Sequence, residues 1–241
     1  MPQKIAPLRG RVIKLGGSLL TLPDWPERLH TWLTRQTPLP AVLIVGGGDL
    51  ADLLRAEHAR HPDYSQELMH ALAIACMDLH GQLALARLPG ARLVEDLAAA
   101  RHFLQGGLAT ENIGHAPGPF SLVRIPAMGR WLGVKPNFGS GEDLLLVERS
   151  ARGNDQALPA TWDVTSDSIA AWAARELAAE ELVLLKSCLP DVDIATENVY
   201  PLIAESGYVD RYFPVLAKNL PSVRFVDLGE KERGELRVEV C

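Results

Sequence analysis

Two glycine clusters, each closing a run of apolar residues, are the first places in this sequence where an anion could be held. Val12-Ile13-Lys14-Leu15-Gly16-Gly17-Ser18 sets a lysine and two glycines where a strand would give way to a helix, and Val45-Gly46-Gly47-Gly48-Asp49 repeats the arrangement. Glycine lets the backbone come close to a ligand and aim N–H groups at it. Lys14 adds a full positive charge beside those dipoles. Taken alone, the first cluster is equally the sequence of a tight turn whose lysine extends into solvent. The pair says more, because two such turns at the carboxyl ends of neighbouring parallel strands face one crevice, where open α/β sheets bind ligands. Neither has the spacing of a Walker A loop or of a dinucleotide fingerprint. Val45 also stands where a dinucleotide fold would close its second strand with an acid, which ranks a dehydrogenase last.

A third cluster, Trp162-Asp163-Val164-Thr165-Ser166-Asp167-Ser168, enters a helical pattern. Thr165 or Ser166 suits a helix cap, and Asp167 suits the positive end of the helix dipole. An acid between two lysines can also fix their geometry around a transferring phosphoryl group, which is the positioning and charge stabilisation that phosphoryl transfer demands.

The elements that must carry these clusters follow from periodicity. Short apolar runs alternate with Ala/Leu-rich stretches of helical period, the pattern of a sheet covered by helices on both faces. Strands are expected over 11–15, 41–45, 91–94, 121–125, 181–186 and 223–228. Helices are expected over 23–36, 49–58, 65–85, 96–104, 166–179 and 208–220. In the longest of them Leu68, Leu72, Ala75, Met77 and Leu79 mark the apolar positions, and Gly81 ends or bends it. Between 129 and 159 the period is lost and glycines gather, which places a mobile lid there.

The 241 residues, 47% of them hydrophobic, suffice for one continuous α/β unit. A net charge of −6 without a basic stretch argues against nucleic acid as the main partner. Cys76, Cys188 and Cys241 are too few and too scattered for a disulfide framework, so the chain reads as cytoplasmic. No signal peptide and no uninterrupted apolar run fit to span a bilayer is expected. His58, His61, His70 and His80 lack the carboxylate or thiolate that would complete a metal site, and Trp162 and Trp172 read as core or subunit-contact residues.

In this order the three clusters resemble the amino acid kinase family, which includes acetylglutamate, aspartate, uridylate and isopentenyl phosphate kinases. The resemblance covers most of the chain. It implies a three-layer α/β sandwich with a mainly parallel central sheet, in one domain over 1–241. An acceptor-binding half would span about 1–160 and a nucleotide-binding half about 161–241. It implies ATP as phosphoryl donor, Mg2+ held mainly through the nucleotide phosphates, and a homodimer through 65–85 or a higher homo-oligomer. Lys14 would contact the transferring phosphate, with Gly16, Gly17, Ser18, Gly46, Gly47 and Gly48 as its cradle and Asp167 as the organising carboxylate. Thr165, Ser166, Ser187 and Asp191 would lie on the nucleotide side, Asp191 and Asp193 being equally at home in a solvated turn.

A narrower likeness lies in Ala71 to Gly81 with its Cys76-Met77-Asp78, in Leu158 to Ala170, and in Leu182 to Ser187. These look like the branch that includes the aminomethylfuranmethyl phosphate kinase of methanofuran biosynthesis, which makes a diphosphate from a phosphate monoester. Asp78 is the candidate contact for the amine of such an acceptor. The sequence departs from the broader family in lacking its Thr-Asp-x-x-Gly-Val and Gly-Lys-Met segments. Lys186 is therefore the candidate second catalytic cation, with Lys218 and Lys135 as alternatives. A nucleotide-binding sensor or storage subunit without turnover, or a kinase for an acylamino acid or nucleoside monophosphate, is the rival function.

Overall fold

Runs of Val, Ile and Leu covered on both faces make parallel strands, and such runs form the centre of the fold. The computed structural model describes residues 8–105, 120, 123–132, 134–136, 147–149, 158–192, 199–229 and 234–239. In chain order its elements are β1 (Leu8–Leu15), a 3-10 turn (Gly17–Thr21), α1 (Trp25–Thr34), β2 (Ala41–Val45), α2 (Gly48–Arg60), α3 (Gln66–Arg87), β3 (Arg92–Val94), α4 (Leu97–Leu104), β4 (Val123–Pro126), α5 (Met128–Trp131), β5 (Val134–Pro136), β6 (Val147–Arg149), α6 (Ser166–Glu176), β7 (Ala179–Lys186), α7 (Val199–Glu205), α8 (Phe213–Ala217), β8 (Ser222–Asp227) and β9 (Glu235–Glu239).

Seven strands form one sheet in the order β3-β4-β2-β1-β7-β8-β9, and β5 pairs with β6 in a separate antiparallel ribbon. All neighbours in the large sheet are parallel except β8 and β9. Strand alternation sends successive side chains to opposite faces. Val12, Val42, Ile44, Leu182 and Leu184 thus share one core with α6, α8 and the first half of α3. Ile13, Leu15, Leu43, Val45, Val183 and Leu185 share the other with Trp25, Leu29 and Trp32 of α1. Helices on both faces of a mainly parallel sheet make the expected three layers.

The chain leaves β1 for β2 on one side and later enters β7 on the other, so β1 is the point where strand order reverses. The register sets Leu15 level with Val45 and Leu185, and the carboxyl ends of all three strands border one crevice.

Several expectations change. The buried stripe of α3 is Met69, Ala71, Ile74, Met77, Gly81 and Ala84, whereas Leu79 and Leu83 are exposed. Gly81 does not end α3, which runs on to Arg87, and it sits against Ile125, where a Cβ would lie 3.3 Å from the Ile125 side chain. By length and composition α3 could cross a membrane, contrary to expectation, but its buried stripe packs into both cores. The helix expected over 208–220 shrinks to α8, with Pro214 in its first turn, and α7 and β9 are additional. Most of the expected lid lies outside the described residues, which supply α5, β5 and β6 from that stretch.

Candidate active site

The two glycine turns press against each other at the crevice floor. A Cβ on Gly17 would lie 2.6 Å from the backbone nitrogen of Gly48, and Gly48 holds a φ of +51°, so both positions require glycine. Their N–H groups divide into two kinds. Gly16 N–H donates to Leu185 O at 2.8 Å and Gly46 N–H to Leu15 O at 3.0 Å. These two glycines, expected among the phosphate donors, use their N–H groups to tie strand ends together. Gly17, Gly47 and Gly48 line a cavity with Lys14 and Ser18, and among the described residues no backbone carbonyl takes their N–H groups. His80 of α3 steadies the second turn, its Nδ1 lying 3.1 Å from Gly46 O. A carbonyl only accepts, so Nδ1 donates in this contact.

Asp167, the second residue of α6, reaches between two lysines that leave adjacent strands. Its Oδ1 is 2.9 Å from Lys14 Nζ and its Oδ2 accepts from Lys186 Nζ at 2.8 Å. Lys14 and Asp167 are each only 4% exposed. Burial pushes the Asp167 carboxyl upward, but the ammonium groups of Lys14 and Lys186 outweigh it and hold the group down at about 2. Burial also lowers the Lys14 ammonium below the usual lysine range; Asp167 opposes this shift and Lys186 adds to it. Two cations therefore share one ionised carboxylate at the crevice floor.

Lys186 has further partners on its other side. It donates to Tyr208 O at 2.6 Å and lies over the Tyr208 ring, 4.8 Å from its centroid. Two residues along, the Asp210 carboxylate accepts from Thr165 N (3.0 Å), Thr165 Oγ1 (2.8 Å) and Ser168 N (2.9 Å), and also from Ser168 Oγ.

Two cavities meet at Asp167. One, of about 200 Å3, lies between the glycine turns, α2, α3 and the start of α6. The other, of about 970 Å3, is bordered by Lys186, Pro201, Glu205, Tyr208 and Arg211. Arg55, Trp162 and Thr165 border both. Trp162 is held there by donating Nε1–H to His58 Nδ1 at 2.8 Å and by Arg55, whose guanidinium sits 5.1 Å from its ring.

The structure thus gathers Lys14, Gly17, Ser18, Gly47, Gly48, Ser166, Asp167 and Lys186 about one floor. Of the remaining candidates Thr165 borders both cavities, and the others lie elsewhere. Asp78 accepts from Met128 N (2.5 Å) and Gly129 N (2.9 Å), holding the start of α5 instead of facing either cavity. Thr165 spends both its donors on Asp210. Ser187 Oγ lies 3.2 Å from Ser18 Oγ outside both cavities, and Asp191 and Lys218 are exposed away from them. The side chain of Lys135, and Asp193, lie outside the described residues. Tyr208, Asp210 and the steadying role of His80 escaped the sequence reading. Asp210 was counted inside a helix, and only its place ahead of Phe213-Pro214 marks it as a candidate cap.

Residues 10–188 match the profile of the amino acid kinase family. Among solved structures the fold is similar to UMP kinase from Bacillus anthracis, at 13% identity and a TM-score of 0.57 over 97% of this chain and 100% of that one. UMP kinase from Ureaplasma parvum gives the same figures, 13%, 0.57, 97% and 100%. No curated protein sequence matches. At such identity the two UMP kinases speak for the fold alone. The profile match spans most of the chain, from within β1 to beyond Lys186, and on that ground the chain belongs to the amino acid kinase family, a family of phosphotransferases.

Proposed function

We propose that this kinase transfers the γ-phosphoryl group of ATP to a small phosphate monoester, with (5-(aminomethyl)furan-3-yl)methyl phosphate as the preferred acceptor. One observation carries the reading: Asp167 holds Lys14 and Lys186 on a floor that opens to a cavity on either side. The smaller cavity takes the acceptor and the larger takes the nucleotide; the smaller is lined mainly from before residue 160 and the larger, Arg55 apart, from after it, which supports an acceptor-binding half over about 1–160 and a nucleotide-binding half over about 161–241.

An oxygen of the acceptor phosphate attacks the γ-phosphorus, the bond to the β–γ bridging oxygen breaks, and ADP leaves. The acceptor oxygen is already ionised at neutral pH, so no strong general base is needed. Lys14 and Lys186 balance the charge that spreads over the transferring group, and the N–H groups of Gly17, Gly47 and Gly48 point at its oxygens. Mg2+ would be held mainly through the nucleotide phosphates, which needs few protein ligands. Bound in that way, the ion would neutralise phosphate charge.

The small volume of the acceptor cavity favours a furan-sized acceptor over a nucleoside monophosphate. With Asp78 occupied elsewhere, Asp52 on the cavity wall, ion-paired with Arg55 at 2.9 Å, is the carboxylate that the acceptor amine would share. The exposed Leu79 and Leu83 of α3, with Leu53 of α2, support the homodimer through this helix region. A cytoplasmic location accords with the unpaired thiols of Cys76 and Cys188.

Phosphorus NMR of the protein with ATP, Mg2+ and the aminofuran phosphate should show diphosphate resonances. Turnover of a nucleoside monophosphate or an acylamino acid instead would overturn the acceptor assignment. Tight ATP binding without ADP release for any acceptor would point to the sensor.

A further inference from the structure

We propose that Asp210 is a positioning residue of this kinase, through which the segment on the nucleotide side sets the place of Asp167. The proposal rests on the catalytic reading of the Lys14, Asp167 and Lys186 cluster.

A helix leaves the N–H groups of its first turn without intrahelical partners, and a Ser or Thr at the cap usually accepts from one of them. Thr165 caps α6 but makes no such bond. Its hydroxyl is turned outward as a donor to Asp210. Asp210 does the capping from 45 residues away in sequence. Oδ2 accepts from Thr165 N, Thr165 Oγ1 and Ser168 N; Oδ1 accepts from Ser168 Oγ, Tyr212 N (3.2 Å) and Phe213 N (3.0 Å). One carboxylate thus binds the first turn of α6 to the first turn of α8, and Asp167 lies between the two α6 residues it grips.

The same segment also holds the other end of the ion pair, because Tyr208 O accepts from Lys186 Nζ at 2.6 Å. Tyr208 to Asp210 therefore fixes Lys186 by a carbonyl and Asp167 by the helix that carries it. Gly207, Tyr208, Val209, Asp210 and Arg211 also line the larger cavity, so a ligand seated there presses on this segment. The six donors around Asp210 suit only a carboxylate. An amide of the same shape would turn its own NH2 toward three of them.

The test is Asp210→Asn, read by kcat, by KM and by the carboxyl-carbon NMR resonance of Asp167 at neutral pH, assigned by its loss in Asp167→Asn. The expected result is a displaced Asp167 resonance, a kcat lowered roughly tenfold to a hundredfold, and an acceptor KM little changed. Asp96→Asn is the control, since Asp96 caps α4 by accepting from Ala99 N at 2.8 Å, outside both cavities. It should lower stability while leaving the resonance and kcat alone. Should Asp210→Asn fail to fold, Thr165→Val removes one donor without changing shape and should move the same readouts the same way by less. An unmoved resonance and an unchanged kcat in a folded, destabilised Asp210→Asn would overturn the proposal and leave Asp210 a cap like Asp96. The resonance needs no turnover, so a wild-type protein inactive with every acceptor would overturn the proposed function while the positioning role is still decided.

Discussion

The central strands carry buried charge at both ends, and the two clusters differ in whether a cavity opens onto that charge. At the amino-terminal end Arg224 of β8 donates to Glu181 (3.0 Å), Glu235 (3.2 Å) and Gln36 (2.8 Å), and Arg237 donates to Glu181 at 2.6 Å. Trp32 covers the group, its Nε1–H bonded to Glu235 at 2.9 Å and its ring 5.3 Å from the Arg224 guanidinium. Planar guanidinium forks allow such sharing among several acceptors. Neither cavity reaches this end. At the carboxyl end the cations are lysines, compact point charges, two of them share Asp167, and both cavities open onto them. Buried charge by itself therefore marks no site. A surplus of cation facing a cavity does.

The sharpest way to break this contrast is to remove one buried charge from each end, a cation from one and an anion from the other. Lys14→Ala should lower turnover by about a thousandfold or more, measured as ADP release at saturating substrates, with the fold retained in circular dichroism. Glu181→Gln should do the reverse, costing about 3 kcal/mol in urea unfolding because Arg224 keeps only the partly exposed Glu235 as its ion-pair partner and Arg237 loses its own, with kcat unchanged. A large kcat loss in Glu181→Gln would mean that the two ends are not independent.

Titration separates them next. The Asp167 carboxyl is depressed to about 2 in the folded chain, against an unfolded value near 3.8. Its contribution to stability is complete above the unfolded value and is lost as pH falls through the folded one. For Lys14 the folded value is lowered, so the active ammonium form is lost at a lower pH than for an ordinary lysine. The alkaline limb of the kcat profile should fall correspondingly early and stay in place in Glu181→Gln. The smallest effect belongs to Ala178, which turns α6 into β7 with a φ of 50°. Ala178→Gly should add about 1 kcal/mol to thermal stability without touching turnover.

Where the sequence was transparent, local pattern and tertiary role coincided. Ala41 to Val45 was readable as a strand to the residue because a fully apolar run ending at three glycines allows little else. Lys14, Asp167 and Lys186 were legible because each stands at an element's end in a recognisable run. The failures come from partners remote in sequence. Nothing near Gly16 or Gly46 shows that a neighbouring strand takes their N–H groups, and nothing near Asp78 shows that Met128 and Gly129 will. In α3 fifteen of 22 positions are apolar or small, too many for periodicity to choose which stripe meets the sheet, and it favoured Leu79 over Ile74.

Gly16 and Gly17 adjoin in the chain but stand on opposite sides of this division. Amide hydrogen exchange should separate them. The Gly16 amide, locked to Leu185 O across a central strand pair, can exchange only when the sheet itself opens, on the slowest clock in the molecule. The Gly17 amide, which no backbone carbonyl among the described residues takes, should exchange from the native state, and more slowly if a phosphate covers it. A single peptide unit thus separates a reporter of global unfolding from a reporter of ligand occupancy.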